Sequence, residues 1–357
     1  MVRPAHGIDQ GIGFVPGWNG GIGKEGGATV KAVLMRGTGG VGVLHIGEHP
    51  DPVMKEDELL VRVEATALNR ADLLQRRGKH PPPKGVPNIL GLEMAGEVAV
   101  VGAACEGWAP GDRVCALLPG VGYAERASIP AGLAMRIPGN LTFEEAAAIP
   151  EVFLTAYQNL FNVARLAPGE TVLIHAGGSG VGTAAIQLVR EAGGTSLVTA
   201  GSREKIDRCL ALGARAGWNP KEGAFAPWVA QMTGGNGVDI VLDFVGAAYF
   251  EQNVRSLAVD GRMVVIGTMG GAEVEKFNLQ ALMSKRLQIT GAGLRGMDTT
   301  RKIRLTGHFA TFALPRFADG RLVPIIDSVF DWRDAAKAHE RMESNVNVGK
   351  IVLRVTG

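Results

Sequence analysis

Apolar and polar positions along the chain change rhythm twice. From Val30 to about Pro150 they mostly alternate. In Glu58–Ala65, Val61, Val63 and Ala65 share one face and Arg62 and Glu64 the other, the period-two pattern of a strand. Gly91–Val101 and the stretch opened by the turn Gly111-Asp112-Arg113-Val114 read the same way, while Ala71–Arg77 reads as a short helix ended by Gly78 and Pro81-Pro82-Pro83. A compact β-rich unit follows. From about Glu151 to Arg295 apolar runs alternate with helical stripes. The runs are Thr171–His175, Thr195–Ala200, Ala214–Trp218, Val238–Asp243, Arg262–Gly267 and Leu287–Ala292; the stripes include Phe250, Val254 and Leu257, and Val229 with Met232. Six strands with helical crossovers predict a doubly wound parallel sheet in the order 3-2-1-4-5-6, so the fold class is α/β. The tail predicts an amphipathic helix through Ala335, Ala338, His339 and Met342, with Asp331 as N-cap. A last strand, Lys350–Arg354, is expected to return to the β-rich unit. Residues 1–28 are glycine-rich and aperiodic, either a disordered leader or an ordered arm, without the basic and apolar blocks of a signal peptide.

The richest local signal lies at the first strand of the alternating region. Thr171–His175 runs into Ala176-Gly177-Gly178-Ser179-Gly180-Val181-Gly182 and then into a helix burying Ala185, Ile186 and Val189. Gly177, Gly178, Gly180 and Gly182 can take positive φ, and without a Cβ they let a ligand lie against the backbone. A helix starting near Gly180 aims N–H groups and a positive dipole end at that ligand, which suits a pyrophosphate. The G-x-G-x-x-G fingerprint is missed by one residue, Ser179 in the second slot, so a plain packing turn is the competing reading. The next strand ends without the acid that would hold an adenine ribose. Ser202, Arg203 and Lys205 stand there instead, a hydroxyl and two cations suited to a ribose 2′-phosphate. NADPH is the expected cofactor. The competing reading is an exposed first helical turn over a buried face of Ile206, Cys209 and Leu210.

Composition excludes more than it specifies. The 357 residues suggest two domains. Lys+Arg of 37 against Asp+Glu of 35 leaves a formal +2, which points to neither nucleic acid nor a membrane surface. No apolar run approaches the ~20 residues of a membrane span. Three cysteines, Cys105, Cys115 and Cys209, form no zinc-ligand spacing and favour a reducing, cytoplasmic setting.

Several motifs together carry a resemblance. Asn69-Arg-Ala-Asp-Leu73, Asn88-Ile-Leu-Gly-Leu-Glu93, Gly111–Val114, Ala147-Ala-Ile-Pro-Glu151, the glycine turn and Asn347-Val-Gly-Lys-Ile-Val352 resemble the zinc-independent quinone oxidoreductases of the medium-chain dehydrogenase/reductase superfamily. The branch most resembled contains the tumour-suppressor-inducible quinone oxidoreductase, with zeta-crystallin more distant. The resemblance implies a GroES-like catalytic domain over 29–152 and 297–357, a Rossmann domain over 153–296, a cleft between them, and a homodimer through the strand at 287–292. It implies no metal: Asn69 stands where zinc relatives have a Cys, and Leu92 where they have a His. It places Asn69 as a catalytic candidate facing substrate, with Leu118, Pro119 and Gly120 lining the cleft; His80, a departure from the family's Tyr, is the second catalytic candidate, for a substrate contact or proton donation. Around the cofactor it places Thr155, the turn from Gly177 to Gly182 including Val181, then Gly267, Met269, Leu294, Arg295 and Lys350. Bland readings compete at several of these: Asn69 as a helix cap, Thr155 as an ordinary helix hydroxyl, Met269 and Leu294 as core, Lys350 and His80 as solvated. His80 stands where the branch often has Tyr, and Pro220 where it has an aromatic ring beside adenosine. The implied activity is NADPH-dependent, metal-free hydride transfer to a quinone, with protonation from solvent or His80. Alternatives are reduction of an activated C=C bond, for which Arg76, Arg77, Lys79 and Lys84 would form a basic entrance, and NADPH binding without turnover.

Overall fold

The computed structural model describes residues 27–355; of the leader expected over 1–28, all but the last two residues lie outside them. Two large sheets organise the chain. The parallel sheet has six strands in the spatial order Ala216–Trp218, Thr195–Thr199, Thr171–Ile174, Val238–Asp243, Leu257–Val265 and Gln288–Gly291. Numbered along the chain, that is the predicted 3-2-1-4-5-6. Val172, Leu173 and Ile174, and Ile240, Val241 and Leu242, are wholly buried, which is why these central strands read as continuous apolar runs. One stripe needs correction. The helix Ala247–Ser256 stops before Leu257, which turns extended and opens the fifth strand.

The second sheet has seven strands. Its path runs Ile326–Asp331, Lys350–Arg354, Glu58–Ala67, Glu93–Val101, Arg113–Leu117 and Ala134–Arg136, with Arg126–Pro130 pairing beside Glu58–Ala67. The last strand is antiparallel to Glu58–Ala67 and parallel to Ile326–Asp331, so the chain's tail closes on its early part as its pattern predicts. Asp331 caps the three-residue turn Trp332–Asp334; the helix Ala335–Glu343 begins only after it, a second correction.

Two helices join the sheets. Pro150–Tyr157 starts with Pro at its first position, where no N–H is needed. Thr299–Ala318, a 20-residue helix the sequence reading did not resolve, buries Leu305, Phe309, Ala313 and Phe317 at four-residue spacing. Phe153 meets Phe317 edge-on at 4.9 Å and Phe309 at 6.4 Å between ring centres. One apolar cluster therefore contains Ala65, Ala95 and Cys115 from one sheet and Ile174, Val198 and Ile240 from the other. This shared core fixes the edges between which the candidate site lies.

Candidate active site

The glycine turn connects Thr171–Ile174 to the helix Gly180–Glu191. None of its four glycines has positive φ; that conformation falls on Ala176, at φ 47°. The glycines are needed for close approach. A Cβ on Gly182 would lie 2.5 Å from the Ala176 carbonyl oxygen, and one on Gly180 2.8 Å from both Lys350 Cδ and Val152 Cγ1. One on Gly177 would meet Val198 at 2.9 Å. Ser179 is the N-cap, its Oγ accepting from Gly182 N–H at 3.0 Å. The N-terminal residues of the helix, Gly180 and Val181, face a cleft. Such a bare backbone cradle at a helix N-terminus fits a dinucleotide pyrophosphate.

Beneath this cleft lies a buried polar cluster. Lys350 Nζ, on a residue 3% exposed, donates to Leu68 O at 2.6 Å, Asn69 Oδ1 at 2.7 Å and Glu93 Oε1 at 2.7 Å. Asn69 Nδ2 donates to the same Glu93 oxygen at 2.7 Å and to Ala67 O at 3.3 Å, and Glu93 Oε2 accepts from Glu151 N–H at 2.8 Å. The lysine and glutamate, both inaccessible, satisfy each other's charge and hydrogen-bonding capacity, which unpaired burial would make costly. Asn69 does stand at the N-cap of Arg70–Arg76, but its side chain is held by Lys350 and Glu93. Asp72 accepts from the N–H groups of Asn69 and Gly91 at 2.7 and 2.9 Å, yet burial pushes its carboxyl up to about 6.

The sequence-derived candidates divide into three groups. Asn69, Gly178, Ser179, Gly180, Val181, Lys205, Met269 and Lys350 line one cleft, together with Phe244, Asn345, Asn347 and Gly349. Gly177, Gly182, Ser202, Arg203, Gly267, Thr155 and Leu294 stand behind or beside it: Ser202 caps its helix by accepting from Lys205 N–H, Arg203 pairs with Asp207 in solvent, and Leu294 joins the core. Thr155 is buried on the helix whose Val152 forms part of the wall. The third group lies apart from the glycine turn. Leu118, Pro119 and Gly120 border a separate cavity with Val86, Pro87 and Val30. Arg295 ties this side together, donating to Pro119 O at 3.2 Å, His80 O at 3.4 Å and Gln75 Oε1 at 2.7 Å. Burial and the Arg295 charge lower the His80 pKa, leaving a neutral imidazole near pH 7.

Lys205 Nζ donates to Asn345 O at 2.8 Å, which leaves two of its three N–H groups for another acceptor. Of the basic entrance, Arg76 is withdrawn: it is fully buried and bonded to Gly39 O, His339 and Glu343. Arg77 pairs with the same Glu343. Phe244 was legible in principle, since it follows directly on the fourth strand, where doubly wound sheets bind ligands. Glu93 was legible as an acid inside an apolar strand. Asn345 had no such signal.

A doubly wound sheet with its glycine turn opening against a second β-rich unit defines a two-unit, dinucleotide-binding type of oxidoreductase. Known proteins agree. The alcohol dehydrogenase GroES-like domain model matches residues 55–159, and the zinc-binding dehydrogenase model residues 180–306. A quinone oxidoreductase of Lama guanicoe is 30% identical over 91% of this chain and 97% of its own length. A phenolphthiocerol/phthiocerol polyketide synthase polypeptide of Mycobacterium tuberculosis is 33% identical over 84% of this chain. The chain spans only 14% of that much longer relative. Among solved structures, the mycobacterial protein Rv1454c complexed with NADPH superposes with a TM-score of 0.81 at 31% identity, covering 91% of this chain and all of that one. The chain belongs to the medium-chain dehydrogenase/reductase superfamily. Among the described residues no three His, Cys, Asp or Glu side chains form a group that could hold a metal ion, and no helix is long and apolar enough to cross a membrane.

Proposed function

We propose that the chain is an NADPH-dependent, zinc-independent quinone oxidoreductase. The observation that carries this is the cleft itself: a helix N-terminus stripped of side chains, with Lys205, from the first turn of the helix after the second strand, in its wall and no Asp or Glu among its lining residues to repel a 2′-phosphate. The bound reduced nicotinamide supplies a hydride. The protein's part is to hold donor and acceptor together and keep water away, since a quinone accepts hydride readily. Gly178 to Gly182 would take the pyrophosphate, Lys205 with Ser202 or Arg203 the 2′-phosphate, and Met269, Phe244 and Asn69 the reactive end. With Leu92 in place of an imidazole and Asn69 committed to Lys350 and Glu93, the site offers no evident place for a polarising metal. The strands of 58–136, 326–331 and 350–354 fall in one sheet and those of 171–291 in the other, which supports catalytic and cofactor units at 29–152 with 297–357 and at 153–296. The edge strand Gln288–Gly291, largely exposed, supports a homodimer through that edge. A reducing, cytoplasmic setting goes with the three free cysteines.

The kinship with polyketide synthases keeps reduction of an activated alkene as the second reading, although the loss of Arg76 to the interior weakens an entrance for an anionic thioester. The phosphate site has its own test. Lys205→Ala should weaken NADPH binding by about tenfold or more while changing NADH binding little, on the scale of one charge-assisted hydrogen bond. Equal loss for both cofactors, measured by fluorescence titration, would remove Lys205 from the phosphate site.

A further inference from the structure

Hydride transfer leaves an anion that needs a proton; the sequence offers solvent or His80 as donor, and the lowered pKa of His80 leaves it a poor one. Glu151 stands beside the cleft wall. It is the second residue of the helix Pro150–Tyr157, one residue before Val152 in the cleft wall and on the same helical face as Thr155. Its backbone N–H is fixed at 2.8 Å on Glu93 Oε2, and Glu93 in turn holds Asn69 and Lys350. The residue as a whole is partly exposed, and its carboxyl makes no hydrogen bond among the described residues. Every other acid of this cluster is bonded through its side chain: Glu93 to Asn69 and Lys350, Asp72 to two backbone N–H groups.

The groups acting on Glu151 come from every element around it. Glu93 lies on one strand, Lys350 on another, Asp72 on the helix Arg70–Arg76, and Lys302 on the helix Thr299–Ala318. Arg295, in the loop after the last parallel strand, feels the Glu151 charge as well. Lys302 Nζ is anchored on Arg295 O at 2.9 Å, and Arg295 continues to Pro119 and His80. Glu151 is thus within electrostatic reach of Lys350, which lines the cleft, and of Arg295, which holds Pro119 and His80. Burial, then the Glu93 carboxylate, push its carboxyl up to about 8, with Lys350 and Lys302 opposing. It therefore keeps its proton at neutral pH.

We propose that Glu151 is the proton donor of the site, protonating the anion left on the substrate once hydride has been accepted. The inference rests on the reductase reading above. NADPH supplies two electrons and one proton as hydride; the Glu151 O–H bond breaks and an O–H bond forms on the hydroquinone anion, or a C–H bond on an enolate carbon. The carboxylate left behind, flanked by Lys302 and Lys350, is reprotonated from water.

Glu151→Gln keeps the shape and removes the proton. One readout needs no turnover: the infrared difference spectrum, wild type minus variant, at pH 7 and at pH 10. The expected difference is a protonated-carboxyl carbonyl band at pH 7 that is gone at pH 10; carboxylate bands at both would overturn the proposal. In turnover with NADPH and a para-quinone, the wild-type rate should fall as pH rises through about 8. The variant should lack that limb and run about 100-fold slower at pH 7, the lower range for general acid catalysis, with NADPH affinity unchanged within about twofold. A variant with the wild-type rate and limb would overturn the donor role while leaving the reductase reading intact. A wild type that binds NADPH but reduces neither quinones nor activated alkenes would sink that reading, and the donor role with it.

Discussion

A methyl group on Gly182 would sit 2.5 Å from one carbonyl oxygen, Ala176 O, and 2.6 Å from another, Gly177 O, neither of which can retreat without moving the turn. On Gly178 its three nearest atoms would all belong to the Lys205 side chain, at 3.3 Å. Two neighbouring glycines therefore do different jobs. Gly182→Ala should cost about 2–3 kcal/mol of stability, the upper part of the usual range for overpacking, read from the urea midpoint. Gly178→Ala should cost well under about 1 kcal/mol, and any effect should appear as weaker NADPH binding. Similar losses of stability in both would mean that the turn is less tightly closed than its geometry indicates. The sequence showed where the glycines are but attributed them partly to positive φ, which only Ala176 adopts here. It also marked Asn69 and Lys350 as site residues. Their partners were not legible, because Lys350 meets Asn69 and Glu93 from 281 and 257 residues away.

The helix Ala335–Glu343 shows how an element's amphipathic pattern can hide a polar device. Its stripe of Ala335, Ala338, His339 and Met342 was legible as a buried face, and all four are buried. His339 Nδ1 lies 3.1 Å from Arg76 Nη1, and its Nε2 lies 3.3 Å from the Tyr123 hydroxyl. A guanidinium cannot accept, so Nδ1 accepts and Nε2 carries the proton. Burial and the Arg76 charge push the imidazole pKa down to about 3. An unfolded histidine titrates near its ordinary 6.5, so the folded state binds fewer protons between those values. The associated stability is full above about pH 6.5 and drains as pH falls toward about 3, at about 1.4 kcal/mol per pH unit. Between pH 7 and about pH 5 the wild type should lose about 2 kcal/mol more than His339→Gln, measured by urea unfolding. Parallel losses would show that His339 is not held neutral. Elsewhere, the parallel strands were the most legible elements, because burial on both faces makes them continuously apolar. The helix Thr299–Ala318 was the least. Its apolar stripe is interleaved with Arg301, Lys302, Arg304 and Arg316, and Pro315 sits inside it.

At the scale of the whole molecule, the segment from Asn345 to Lys350 is where the two sheets meet. Asn345 O takes the Lys205 ammonium, Gly349 N–H donates to Gly178 O at 2.9 Å, and Ser179 and Gly349 form a parallel bridge. Gly349 has φ 78°, and a Cβ there would lie 2.2 Å from Ile325 O, so the crossing depends on a glycine. Lys350 then enters the second sheet and the polar floor of the cleft. The two-unit architecture and the strand order were legible because periodicity is local. This crossing was not, because it is a contact between the chain's tail and its middle. Its consequence is that the glycine turn, Lys205 and the Asn69–Glu93–Lys350 cluster are tied through a few residues, which suits the proposed reductase, since that must bring donor and acceptor together. The most direct measurement is the loss of NADPH absorbance at 340 nm with a matched panel of ortho- and para-quinones, enals, enones and enoyl thioesters. The expected result is turnover of quinones in preference to every alkene. Turnover confined to the alkenes, or NADPH bound without oxidation by any acceptor, would contradict the assignment as a quinone oxidoreductase.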